Sequence, residues 1–94
     1  MSKHRSRLEV VLTVLSVVAD GSDKPTHIMY SANMSWTLTQ SILSQLVKQG
    51  LLEVRTASES SRRRYTITEK GFNVIDYFDK AKEILPKDIY FAHA

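Results

Sequence analysis

From Leu8 to Ala19 the chain is apolar except at Glu9, Thr13 and Ser16. Leu8, Val11, Leu12, Leu15, Val18 and Ala19 recur at helical spacing, the pattern of a core-facing helix. Val10, Val14 and Val17 fill much of the opposite side. So many valines would also suit a strand, but the run is too long for a typical one. A helix apolar nearly all round is buried on more than one face. The expectation is a domain core on the first side and a second subunit against Val10, Val14 and Val17. The run is too short and too polar to span a bilayer, which takes roughly 20 apolar residues. The N-terminus is basic, yet no small-residue cleavage site follows, so no signal peptide is read.

The breakers that follow divide the rest of the chain. Asp20-Gly21-Ser22-Asp23 ends the first helix, with Gly21 as a left-handed cap. Pro25 suits the first position of a short second helix to Ala32, because its missing N–H is not needed there. Asn33 and Met34 make a turn, and Ser35 caps a third helix from Trp36 to Gln49. Leu38, Ile42, Leu46 and Gln49 form its apolar row, with Leu43 and Val47 beside it, and Gly50 ends it. Leu51–Arg55 and Arg64–Thr68 have strand character on either side of a serine- and arginine-rich loop, which makes a hairpin. Thr68 caps a fourth helix, predicted to run to Leu85 before Pro86 stops it, and residues 87–94 form a short tail.

Helix, helix, helix, strand, strand, helix is a mainly α plan with a small β-hairpin, the order of a winged helix-turn-helix. The 94 residues fit one domain, 1–94, with a basic arm at 1–7 and a C-terminal dimer helix at 68–85. So small a core gains from pairing with a second copy. The chain has no cysteine, which excludes disulfides, thiolate metal sites and thiol nucleophiles and fits a reducing interior. Net charge is +3, and it is uneven: residues 1–70 carry +4 and residues 71–94 carry −1. A basic front suggests a polyanionic partner for one face.

Lys24–Trp36, KPTHIMYSANMSW, resembles the archaeal winged helix-turn-helix family that includes the small ten-kilodalton chromatin-associated DNA-binding proteins. Leu8–Gly21, LEVVLTVLSVVADG, Leu43–Leu52, LxxLVKQGLL, and Tyr65–Ile75, YTITEKGFNVI, are similar in the same order, so the resemblance spans roughly residues 6–85. It implies a homodimer on double-stranded DNA, with Ser35–Gln49 in the major groove, Val54–Tyr65 as the wing and the helix after Thr68 as the dimer helix. Two departures are visible. Chromatin-type relatives have a long last helix forming an antiparallel coiled coil, whereas Pro86 limits this one to roughly 17 residues, about 25 Å. The dimer is therefore expected to use Phe72, Ile75, Phe78, Ile84 and Leu85 together with Val10, Val14, Val17 or the aromatic tail. His27 stands where relatives are often basic, and a neutral imidazole weakens a phosphate contact.

Arg62-Arg63-Arg64 falls where a wing tip is expected, and guanidinium forks suit phosphates and narrow minor grooves. A solvated hairpin tip is the plain alternative, and strand alternation turns Arg64 away most readily. The third helix offers Ser35, Trp36, Thr37, Gln40, Ser41, Ser44 and Lys48 as DNA-binding candidates, with Gln45 also on its polar side. Gln pairs with adenine edges and Ser or Thr with phosphates or several bases; a merely solvated face is equally compatible. With no Arg on this helix, bidentate guanine reading is absent and sequence selectivity should be modest. Trp36 and Tyr30 are expected mainly to pack over neighbouring helices. Lys3, Arg5 and Arg7 either follow the DNA backbone or form a solubilising end. His4, His27 and His93 lack metal-ligand spacing, and Asp76 and Asp79 lie in an exposed helix pattern. No catalytic residue, metal, cofactor, small-molecule effector or membrane association is predicted, and a cytoplasmic, nucleoid-associated location is expected. The competing function is a protein-interaction module of a transcription assembly on the same scaffold, motivated by Ile89-Tyr90-Phe91.

Overall fold

The computed structural model describes residues 5–56 and 62–86. Lys3, His4, the loop serines Ser58, Ser60 and Ser61, and the tail with Ile89, Tyr90, Phe91 and His93 lie outside them. The elements are α1 (Arg7–Ala19), α2 (Pro25–Ala32), α3 (Trp36–Lys48), β1 (Leu52–Thr56), β2 (Arg63–Ile67) and α4 (Glu69–Lys82). The predicted order holds.

Local chemistry explains the ends. Ser6 and Glu9 form a reciprocal capping box, so α1 begins a residue earlier than the apolar run suggests. The Ser35 hydroxyl accepts from the Leu38 N–H at 3.1 Å, capping α3. The first three helices end alike. Gly21, Asn33 and Gly50 have positive φ, and the next N–H reaches five residues back: Ser22 to Val17 O, Met34 to Met29 O, Leu51 to Leu46 O. This closure satisfies terminal carbonyls and reverses the chain within two residues.

The core is built from Val10, Val14, Leu15 and Val18 of α1, Ile28 and Ala32 of α2, and Ile42, Leu43 and Leu46 of α3. Leu51, Leu52 and Tyr65 close it from the hairpin. Thr39 is also buried, and its hydroxyl donates to the Ser35 carbonyl at 2.7 Å, so the burial leaves no polar atom unsatisfied. The orientation expected for α1 is corrected here. Val10 and Val14 are 6% and 0% exposed inside their own protomer, so they have no surface for a second subunit. Val17 is half-buried and packs on the same core, while Leu8 and Leu12 remain half-buried at its edge. A helix this uniformly apolar carries little rotational information, and contacts with α2, α4 and β2 decide its facing.

The hairpin is antiparallel, pairing Leu52 with Ile67, Val54 with Tyr65, and Arg55 with Arg64. The segment between α1 and α2 runs along its other edge, where the Tyr65 N–H donates to the Asp23 carbonyl at 2.8 Å. Thr68 joins hairpin and α4. Its hydroxyl lies 2.7 Å from the Gly50 carbonyl and 3.0 Å from that of Leu51, and accepts from the Gly71 N–H at 3.0 Å. The helix it caps spans 14 residues and stops at Lys82 rather than Leu85. Val74 and Ile75 pack partly on the core, but Phe72, Tyr77, Ile84 and Leu85 are exposed.

Candidate nucleic-acid interface

α3 is the element that the rest of the core positions. One side of it, Thr39, Ile42, Leu43 and Leu46, is buried. Thr37, Gln40, Ser41, Ser44 and Lys48 recur at three- and four-residue steps on the other side, and all are exposed. The tight Asn33 turn sets α2 across the start of α3, and the Gly50 closure sends the chain into the hairpin beside it.

Between α3, the hairpin and the start of α2 lies an open groove of about 910 Å³. Trp36, Gln40, Ser44 and Lys48 line it from α3, and Arg62, Arg63 and Arg64 from the hairpin. Lys24, just ahead of α2, and Pro25 and Thr26 at its start complete it, over a floor that includes Leu43, Val47, Val54 and Tyr65. Five cationic residues border it, of which Arg64 is paired with the Asp23 carboxylate, and among the described residues no carboxylate residue lines the groove. That composition favours an extended polyanion over a neutral ligand.

The three arginines are not equivalent. Arg63 stands opposite Thr56, on the strand face shared by Val54 and Tyr65. Arg64 alternates to the other face, opposite Arg55, and its guanidinium donates to the Asp23 carboxylate at 3.1 Å. Arg62 is exposed just ahead of the strand. Ser35, Thr37 and Ser41 lie outside the groove lining, though they are exposed on or beside the same helix. Trp36 is 44% exposed at the groove, and Tyr30 is 77% exposed, so the expected packing of Tyr30 over a neighbouring helix does not occur.

The chain matches the winged helix-turn-helix family over residues 4–85. It belongs to that family. Among solved structures, Sso10a-2, described as a DNA-binding protein from Sulfolobus solfataricus, is 28% identical with a TM-score of 0.72; the match covers 85% of this chain and 81% of that one. BpsR of Bordetella bronchiseptica, whose DNA binding is described as regulated by 6-hydroxynicotinic acid, shares the fold at 14% identity and a TM-score of 0.73, covering 79% of this chain and 58% of that one. A curated relative, an uncharacterized protein of Methanocaldococcus jannaschii, is 27% identical over 67 residues, which is 71% of this chain. The chain spans 63% of that relative's length.

In the winged-helix plan α3 takes the position called the recognition helix and β1–β2 that of the wing. Lys24 and Thr26 line the groove without having been sequence candidates, and Val54 was expected only as the start of the wing. Lys24 had one available signal, a cation immediately before a helix-opening proline. Among the described residues no helix is long and apolar enough to cross a membrane, and no three or more His, Cys, Asp or Glu side chains converge as metal ligands would.

Proposed function

We propose that the chain is a homodimeric DNA-binding protein, a transcriptional regulator or chromatin-type architectural protein working on the nucleoid in the cytoplasm. The observation that carries the reading is the convergence of Lys24, Lys48, Arg62 and Arg63 on a groove beside an exposed, polar recognition helix. α3 enters the major groove, with Thr37, Gln40, Ser41 and Ser44 at base edges or phosphates and Ser35 and Trp36 at its start. The wing arginines meet flanking phosphates or the minor groove. The Sulfolobus relative's description as a DNA-binding protein supports this.

Dimerisation uses α4 and the turn after it. Phe72, Ile84 and Leu85 are 52%, 83% and 41% exposed, and Ile75 and Phe78 are half-buried beside them. Two recognition helices about 34 Å apart would then meet successive major grooves. The test is a titration onto random duplex at several salt concentrations, with particle mass followed by light scattering. Binding with a steep negative log–log slope by a particle of twice the chain mass is expected. Absence of binding at low salt would overturn the reading and return attention to the interaction-module alternative.

A further inference from the structure

Arg5 and Arg7 do not trail from the domain. The Arg5 guanidinium donates to the Asn33 carbonyl at 2.8 Å, across the turn that leads into α3. The Arg7 guanidinium, in the first turn of α1, donates to Gln45 Oε1 at 2.8 Å. Gln45 is one helical step from Ser41, on the border of the α3 exposed face opposite the groove residues Trp36, Gln40 and Val47. The exposed face of α3 is thus bounded by the wing cations along one edge, by Arg7 along the other and by Arg5 at its N-terminal end.

We propose that Arg5 and Arg7 form a second phosphate-binding site, which takes the DNA backbone on the side of α3 away from the wing. This rests on the DNA-binding reading. A helix in a major groove about 12 Å wide lies between two sugar-phosphate backbones, so cations on one flank address only one of them. Each bond described uses one nitrogen of a guanidinium with five N–H donors, so donors remain for a phosphate oxygen. Both side chains are exposed, and neither pairs with a carboxylate among the described residues. The tethers also hold the two forks in place before DNA arrives, which reduces the ordering cost of binding.

The test compares wild type with the double variant R5A/R7A on a random-sequence duplex of about 30 base pairs, enough for successive major grooves. Affinity is measured across a salt series. Two lost phosphate contacts should flatten the log–log slope by about 1.8 per bound protomer. The loss should add to that of R62A/R63A, because the two pairs meet different strands. R5K/R7K, which keeps the charge, should retain most of the slope. If R5A/R7A does not fold, R5Q/R7Q removes the charge while keeping hydrogen-bonding groups, and the same flattening is expected. A wild-type slope in the folded uncharged variant overturns the second site and leaves the wing reading intact. No binding by the wild type overturns both.

Discussion

Adding one methyl group at Gly71 tests how α4 is seated. A Cβ there would overlap the Leu51 carbonyl oxygen and come within 2.7 Å of Ile67 Cγ1. The nearer neighbour is backbone, and that carbonyl also accepts from the Thr68 N–H at 3.2 Å and lies 3.0 Å from the Thr68 hydroxyl. Relief therefore means moving the hairpin from the helix. Overpacking of this kind costs about 1–3 kcal/mol, and each disturbed hydrogen bond costs about 1 kcal/mol. Against this, Ala gains up to about 1 kcal/mol over Gly in a helix. The net expectation for G71A is a loss of about 2 kcal/mol. For a domain of this size that lowers Tm by roughly 8–16 °C. Thermal unfolding followed by circular dichroism, at matched protomer concentration because the proposed dimerisation would shift Tm, measures it. A Tm equal to or above wild type would show that α4 does not need this close approach.

Three further outcomes are expected. R62A/R63A should flatten the salt dependence of duplex binding by about 0.9 per lost phosphate contact, whereas R64A should change it less, because Arg64 is engaged with Asp23; equal effects would contradict the division read from the strand register. T68A should cost about 1–2 kcal/mol in denaturant unfolding, since one hydroxyl caps α4 and bonds the end of α3. I84K should halve the mass seen by light scattering while leaving circular dichroism unchanged, because Ile84 is exposed in the protomer; an unchanged mass would place the dimer interface elsewhere.

Element order was legible because the punctuation is strong. Pro25 fixes φ at a helix start, the Ser35 hydroxyl caps one, and Asn33 and Gly50 tolerate the left-handed turn that ends one, so each marks a real boundary. The facing of α1 was not legible, because a helix apolar on every side has no preferred stripe to read. Hence Val10 and Val14 looked available to a partner while lying in the core. The site was partly legible: the polar row of α3 and the arginine triplet stand out in the sequence and line or border one groove. The docking of Arg5 and Arg7 was hidden because their partners lie 28 and 38 residues away, and no local pattern announces a bond of that span. Gly71 was silent for the same reason, since its neighbours Leu51 and Ile67 approach only in the folded chain.

The placement of charge also bears on what kind of DNA binder the fold supports. Cations sit on the flanks of α3, while the face itself has one, Lys48 at its C-terminal end. Two glutamines on α3 have the chemistry to pair with adenine edges, but Gln45 Oε1 is already accepting from Arg7. Gln45 is thereby held toward Arg7, so under the proposed reading Gln40, at the groove side, is the better placed of the two for a bidentate pair. One such pair discriminates by about 1–3 kcal/mol, or about twice that for a dimer. Dedicated regulators separate specific from non-specific sites by about 4–10 kcal/mol. With α3 in the major groove as proposed, direct reading by this helix, about 2–6 kcal/mol for a dimer, reaches only the lower part of that range. Most of the affinity then comes from backbone contacts on both flanks, which favours the architectural form of the proposed function over the site-specific one.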